Sequence, residues 1–337
     1  MLTMMQTIPI ETFLANMSDY DLIIDARSPL EYSESHVANA TNLYALSDEE
    51  HAQVGTIYKQ VSPFEARLKG ASFVCLNAAR HIQTLYPAFN PGSKIAIYCA
   101  RGGMRSSSLG TIFSSIGYPI DRVIGGYKSY RAFVTEYLEN LPQINFLTLT
   151  GNTGCGKSDL LQDLTNVIDL EKMANHYGSV FGDVNGIQPS QKEFQNRLAH
   201  AVLALDLTKK AFVEAESKRI GKITLSGSLY AHMEKGIRIE ITAPLEQRVE
   251  RIMRMYDSMN SDFFMHRMER ISPYISRDDK DAAISAFENG DLARVSEILL
   301  TQYYDKVYKV TKAPDITIHN DNHAKTIETL KGIQDEQ

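Results

Sequence analysis

Phe146-Leu-Thr-Leu-Thr150 followed by Gly151-Asn152-Thr153-Gly154-Cys155-Gly156-Lys157-Ser158 is the stretch from which the fold of this chain can be read. An apolar, β-prone run closed by glycine predicts a buried strand, and the following SDLLQDL has helical spacing. Strand, glycine-rich turn and helix, ending in Gly-Lys-Ser, is the pattern of a phosphate-binding loop. Glycines let successive backbone N–H groups wrap a phosphate, and the helix N-terminus adds positive dipole. Gly151, Gly154, Cys155, Gly156, Lys157 and Ser158 are therefore the expected phosphate-binding set. Lys157 would neutralise the terminal phosphates and Ser158 could hold a magnesium ion. A helix N-terminus can acidify a thiol such as Cys155, but a filler role suits it better, because the loop presents its backbone to the ligand.

Downstream, Ala211–Ala215 and Arg238–Thr242 read as further buried strands, and Asp315–Ile318 as a short one. Gln191–Lys209 carries Phe194, Leu198, Val202 and Leu205 at helical spacing, and Asp291–Val310 also reads as helical. In the run AFVEAESKRIG, Glu214 and Glu216 fall on the same side of an extended segment. An acid here suits a metal–phosphate site or a general base; the plainer alternative is a surface residue or a helix cap. Arg248, Arg251 and Arg254, with Arg267, Arg270 and Arg277 beyond, could form an RNA-binding patch. Interleaved Glu246, Glu250, Asp257 and Glu269 equally suit a solvated helix face.

Upstream, Asp21–Asp25 and Lys94–Tyr98 read as strands, and Glu65–Tyr86 and Ser129–Glu139 as helices. This alternation predicts an α/β fold with mostly parallel sheets covered on both faces. A proline within Asn140–Asn145 separates a helical stretch from a new strand, which sets two domains, 1–140 and 145–337. Between strand and helix in the first lies Cys99-Ala-Arg101-Gly102-Gly103-Met-Arg105. Loop N–H groups, the helix dipole, Arg101 and Arg105 would favour a thiolate and would also bind a tetrahedral anion or a persulfide.

With Asp25-Ala-Arg27, Glu31-Tyr32 and Ser35-His36-Val37-Ala-Asn-Ala40-Thr-Asn42 ahead of that loop, residues 10–135 resemble the rhodanese superfamily. The resemblance implies that Cys99 is a nucleophile and that Asp25 and Arg27 support it. Five residues separate Cys99 from Arg105, the spacing of the superfamily's phosphatases; its sulfurtransferases typically have four. A longer loop makes a wider anion cradle.

A rhodanese pattern followed by a P-loop resembles the tRNA 2-selenouridine synthases. The likeness is carried in detail by Val54–Gln60, Gly125-Gly126-Tyr127-Lys128, Asp169-Leu170-Glu171 and Glu214–Gly221, with looser similarity at Tyr303-Tyr304-Asp305. It implies a tRNA substrate with 2-thiouridine at the wobble position. Geranyl diphosphate would first alkylate the sulfur, and selenium from selenophosphate would then replace the geranylthio group. It further implies that Cys99, Arg101, Gly102, Gly103 and Arg105 handle selenophosphate, and that Lys157, Ser158 and Glu214 or Glu216 handle the diphosphate. Magnesium is the expected ion, with no tightly bound cofactor, and selenophosphate synthase is an expected transient partner. Met253, Met255, Met259, Met265 and Met268, near Phe263 and Phe264, suit either a prenyl pocket or an ordinary core. The competing reading is a rhodanese-like phosphatase or sulfurtransferase fused to a P-loop kinase.

Composition narrows the classes. A net charge of −6 argues against a protein coated in basic charge, though phosphate contacts need only a few local cations. Three scattered cysteines (Cys75, Cys99, Cys155) are too few for a disulfide framework or a zinc site. No apolar run is long enough to span a membrane and no secretory leader opens the sequence, so a reducing cytoplasm is expected.

Overall fold

Runs apolar on both faces are what a parallel sheet between helices demands, and the computed structural model contains two such sheets. It describes residues 5–85, 89–90, 92–184, 186–256, 259–307 and 312–335. The chain divides into two compact units, Met1–Tyr137 and Leu138–Gln337, where the sequence suggested 1–140 and 145–337.

The first unit has strands β1 (Gln6–Ile8), β2 (Leu22–Asp25), β3 (Ala40–Asn42), β4 (Ile95–Tyr98) and β5 (Ile120–Val123), all paired parallel in the order β1-β5-β4-β2-β3. Every residue of the central strands β2 and β4 is buried. Their register sets Asp25 beside Tyr98, so both strands end together immediately before Cys99. Ligands of parallel sheets gather at such carboxyl ends. The helix expected over Glu65–Tyr86 spans Pro63–Leu85, and Tyr86 lies outside the described residues. Ile24, Ile97, Leu109 and Phe113 centre the core.

The second unit holds β6 (Phe146–Thr150), β7 (Val167–Ile168), β8 (Ala211–Glu214), a two-stranded antiparallel pair β9 (Arg219–Ile220) and β10 (Ile223–Thr224), β11 (Ile237–Thr242) and β12 (Ile316–His319). The five-stranded sheet is again parallel, in the order β12-β11-β6-β8-β7, with the glycine-rich loop leaving its central strand. Leu147, Leu149, Phe212, Ile239 and Ile241 fill one face of it.

Two helical expectations change. The helix beginning at Gln191 stops at Leu203, because Asp206 accepts from both the N–H and the hydroxyl of Thr208 and turns the chain. The tail expected to be one helix is Leu292–Ile298, a π-helical stretch Leu299–Tyr304 and Asp305–Val307, while 308–310 lie outside the described residues. The methionines divide as well. Met259 and Met268 are buried in a helical core with Phe181, Phe264, Leu299 and Tyr303, Met265 is exposed, and the Met255 side chain lies outside the described set. For Met259 and Met268 the core reading holds. No helix among the described residues is long and apolar enough to cross a membrane.

Candidate functional site

Each unit carries a site at the carboxyl end of its sheet. In the first, Cys99 follows β4 directly and is 3% exposed. Its Sγ accepts from the Gly103 N–H and from the Ser106 hydroxyl, both at 3.2 Å. Two donors on one sulfur are what a thiolate or a persulfide requires. The helix Met104–Ser115 starts at this point and directs its N-terminus at the sulfur.

The loop is held from behind. Tyr127 N–H donates to the Cys99 carbonyl at 2.8 Å, Lys128 N–H to that of Ala100 at 3.0 Å, and Arg122 to that of Gly102. Gly126 has φ +58°, and a Cβ there would collide with the Cys99 carbonyl oxygen, so only glycine lets these segments touch. Arg105 forms a two-pronged pair with Glu31. Burial pushes the Glu31 carboxyl up, but the Arg105 hydrogen bond and charge outweigh it and hold it below its ordinary value. Arg101 is exposed at the loop rim. Asp25 and Arg27 are sealed beneath, at 0% and 4% exposure, and make a 2.6 Å ion pair. Arg27 also donates to the Ser35 carbonyl and lies 3.8 Å over the Tyr127 ring, while the Tyr98 hydroxyl donates to Asp25 at 2.8 Å. Asp25 and Arg27 thus brace the strand ends that carry the loop.

In the second unit the loop Gly151–Ser158 joins β6 to the helix Lys157–Asp163. Gly156 sits at φ +95°, where a Cβ would press on Asn320 Nδ2 at 2.7 Å. Asn320, buried after β12, donates to the Cys155 carbonyl at 2.9 Å and so fixes the loop from below. The Cys155 side chain is 1% exposed and packs in the sheet core, the filler role. Lys157 Nζ folds back onto the Gly151 carbonyl at 2.8 Å. Burial opposes its charge, but Cys155, Glu171, Glu216 and Glu214 outweigh burial and raise its pKa.

The carboxylates sort themselves. Glu214, at 0% exposure, accepts the Leu170 N–H at 2.9 Å; burial, then the charges of Glu171 and Asp169, push it well above the usual range. The chain turns after it, with the Glu216 N–H on the Glu214 carbonyl, so the extended segment supposed to align the two acids is broken. Glu216 alone of the two reaches a cavity beside Lys157, and burial followed by the Glu171 charge pushes it up to about 8. Glu171, to which the sequence reading assigned no role, accepts from the Ser158 hydroxyl at 3.0 Å. Its signal was present: Asp169 after an apolar run caps a helix by accepting Lys172 N–H, which sets Glu171 in the first turn.

Two cavities, of about 300 Å³ and about 370 Å³, flank the loop, and Lys157, Glu171, Tyr177 and Ser179 line both. The first also takes Ser158, Arg251, Arg254 and Tyr304. The arginine patch is therefore broken up. Arg248, 7% exposed, grips Asp305 through two bonds of 2.7 and 3.0 Å and the Thr153 carbonyl at 2.9 Å. Arg251 donates to the Gly154 carbonyl at 3.1 Å. Arg267 is buried against Asp183 and the Phe263 ring, which removes it from any RNA surface. Arg270 and Arg277 are exposed, and Arg254 points its exposed side chain at the P-loop cavity.

The donor set fits a magnesium ion bound together with a substrate diphosphate. Ser158 and Glu171 present one hydroxyl and one carboxylate, and magnesium is commonly held by one or two carboxylates plus substrate phosphates. No cluster of three metal-ligating side chains exists among the described residues, so protein groups alone build no cage.

Comparisons with known proteins agree with this division. Residues 10–133 match the rhodanese-like domain, and residues 144–285 match the AAA domain of tRNA 2-selenouridine synthase. A tRNA 2-selenouridine synthase of Hydrogenovibrio crunogenus is 32% identical over 85% of this chain and 88% of its own length. The Bordetella bronchiseptica protein of the same name is 31% identical over 92% and 94% respectively. Among solved structures, the N-terminal domain of a putative ATP/GTP binding protein from Clostridium difficile 630 is 38% identical over 38% of this chain, with a TM-score of 0.33. With a rhodanese-like unit that presents Cys99 and a P-loop unit built on Lys157, the chain belongs to the tRNA 2-selenouridine synthase family.

Proposed function

We propose that the protein converts wobble-position 2-thiouridine in tRNA to 2-selenouridine through an S-geranyl intermediate, with geranyl diphosphate and selenophosphate as co-substrates. The observation that supports this reading best is the pairing of two different anion sites in one chain. One is a sulfur with two donors beside Arg105, the other a lysine–serine loop with room for a diphosphate.

In the first step the thiocarbonyl sulfur forms a bond to the prenyl carbon. The carbon–oxygen bond breaks, diphosphate leaves with the electron pair, and N3 of the base gives up its proton to solvent or to the diphosphate. Lys157, Arg251 and Arg254 meet the charge that grows on the leaving group, and Ser158 and Glu171 would hold a magnesium ion, which would supply further charge neutralisation. In the second step the selenium of selenophosphate forms a bond to C2 and the carbon–sulfur bond breaks. Geranylthiolate, a far better leaving group than the sulfur of a free thione, departs and takes up a proton. Water then cleaves the selenium–phosphorus bond to release phosphate. The tetrahedral selenophosphate lies on the Gly102 and Gly103 amides with Arg101 and Arg105, above Cys99. Transient delivery by selenophosphate synthase and a cytoplasmic setting belong to the same proposal.

The test is nucleoside mass spectrometry of a 2-thiouridine tRNA incubated with the protein and geranyl diphosphate, with and without selenophosphate. The expected result is a geranyl mass gain without selenophosphate and selenouridine with it. An unchanged nucleoside in both, from folded protein that binds the tRNA, would overturn the proposal in favour of a phosphatase or kinase.

A further inference from the structure

The second cavity is not needed to hold a diphosphate, yet it shares Lys157, Glu171, Tyr177 and Ser179 with the first. Anything bound there lies across the same lysine from the donor. Its floor is unusual for a central strand. β6 is buried along its whole length, yet Thr148 and Thr150 alternate with Leu147 and Leu149, and the two threonines face this cavity. The helix Gly227–Lys235 contributes Tyr230, Met233 and Glu234, at the three- and four-residue spacing of one helix face. Arg238 of β11, paired in register with Thr148, closes the wall, and its buried Nε makes no hydrogen bond.

This lining is half polar and carries two aromatic rings, Tyr177 and Tyr230. A ten-carbon prenyl chain would set hydrocarbon against Glu216, Glu234 and Arg238, which is costly for charged groups. A flat heterocycle with polar edges matches it better, because its face can stack on Tyr230 while its edges meet the half-polar wall. The chain that continues from the cavity wall carries charge of its own. Ser217–Lys222 leads from the cavity wall into the β9–β10 pair and carries Lys218, Arg219 and Lys222 with no acid, all three exposed. Lys218 Nζ already lies 5.2 Å from the Tyr230 ring centroid.

We propose that the second cavity receives a single unstacked nucleobase of the RNA substrate, its ring on Tyr230 and its flanking phosphates on Lys218, Arg219 and Lys222. The proposal rests on the transfer reading above, in which a donor diphosphate and an acceptor base must meet across Lys157. Enzymes that act on a base withdraw it from its stack, and a base in an anticodon loop costs least to withdraw.

The experiment is equilibrium binding of the full chain to two anticodon stem-loop RNAs, one with 2-thiouridine at the wobble position and one abasic there. Stacking of one base is worth enough for Tyr230→Ala to weaken the intact RNA about tenfold, with Tyr230→Phe close to wild type. Removal of the base should cost the wild type the same factor and cost Tyr230→Ala nothing more, since the two changes delete the same stacking pair. The surface variant Lys218→Ala/Arg219→Ala/Lys222→Ala should flatten the salt dependence by about 0.7 log units per log salt for each phosphate it no longer neutralises. Equal loss on both RNAs, no loss on either, or an unchanged salt slope would overturn the proposal. So would a Tyr230→Ala protein that binds RNA normally but needs more geranyl diphosphate, because the cavity would then hold the prenyl chain. Binding is read without donor, so failure of the geranyl step leaves this result standing, and failure of the base pocket leaves turnover to be judged separately.

Discussion

Single residues test which half-reaction of the proposed function each site serves. The Cys99 sulfur has two donors, which suits the proposed selenium step, whereas the diphosphate chemistry is proposed for the other unit. Cys99→Ala is therefore expected to lose selenouridine formation while it keeps geranylation, as measured by nucleoside mass spectrometry. Lys157→Ala should lose geranylation, and with it selenouridine from a 2-thiouridine tRNA, while it still selenates a tRNA geranylated beforehand. Its kcat/KM for geranyl diphosphate should fall roughly 100-fold or more, the usual cost of losing a preorganised charge partner. Glu216 makes a prediction about stability. Its folded-state pKa is raised from 4.5 to about 8, so the folded protein holds a proton that the unfolded chain releases near 4.5. The stability that this proton brings is complete below pH 4.5 and is lost as pH rises through about 8. In ligand-free protein the thermal midpoint should therefore fall between those pH values, and Glu216→Gln should flatten the fall. An equally steep fall in the variant would show that the proton resides elsewhere.

Elements explain why the loops are rigid. The Cys99 loop depends on contact with the turn that opens the helix Gly126–Glu139, and Gly126 is the point where they touch. Gly126→Ala would cost about 1–2 kcal/mol from the left-handed backbone alone, and the collision with the Cys99 carbonyl adds to it. Chemical denaturation should show the loss, and Cys99 should react faster with an alkylating agent as the loop loosens. The P-loop is fixed from two other elements: Asn320 after β12 and Arg248 of the helix Leu245–Tyr256. Asp305 meets Arg248 where the π-helical stretch ends, so the irregular turn of Leu299–Tyr304 helps to place a P-loop support. Arg248→Ala breaks a largely buried pair whose acid is 29% exposed, and with that exposure discounted it should cost about 2 kcal/mol and raise KM for the diphosphate. The tail read as one helix from its apolar spacing did not reveal this turn, because π-helical turns occur as short segments inside α-helices and the spacing of the flanking α-helical turns dominates the pattern.

The whole chain has two units, each with its own sheet and core, so two unfolding transitions are expected in calorimetry. Pyrophosphate with magnesium should raise only the P-loop unit's transition, by about 2.7 kcal/mol at a hundred times Kd. A shift of both transitions would show that they unfold as one.

Both sheets and both loops were legible in the sequence because their determinants are consecutive. A strand apolar on two faces, glycines where the backbone turns left-handed, and a cysteine or lysine at a helix start are all written within a dozen residues. What only the tertiary structure decided is which distant groups converge. Glu171 joins Ser158 across 13 positions, Arg248 meets Asp305 across 57, and Asn320 reaches Cys155 across 165. The same packing withdrew Arg248 and Arg267 from the surface and set Glu214 beneath the cavity that Glu216 faces. Spacing along the chain determines which side of an element a residue occupies; whether that side meets water, a phosphate or a buried partner depends on what the rest of the chain packs against it.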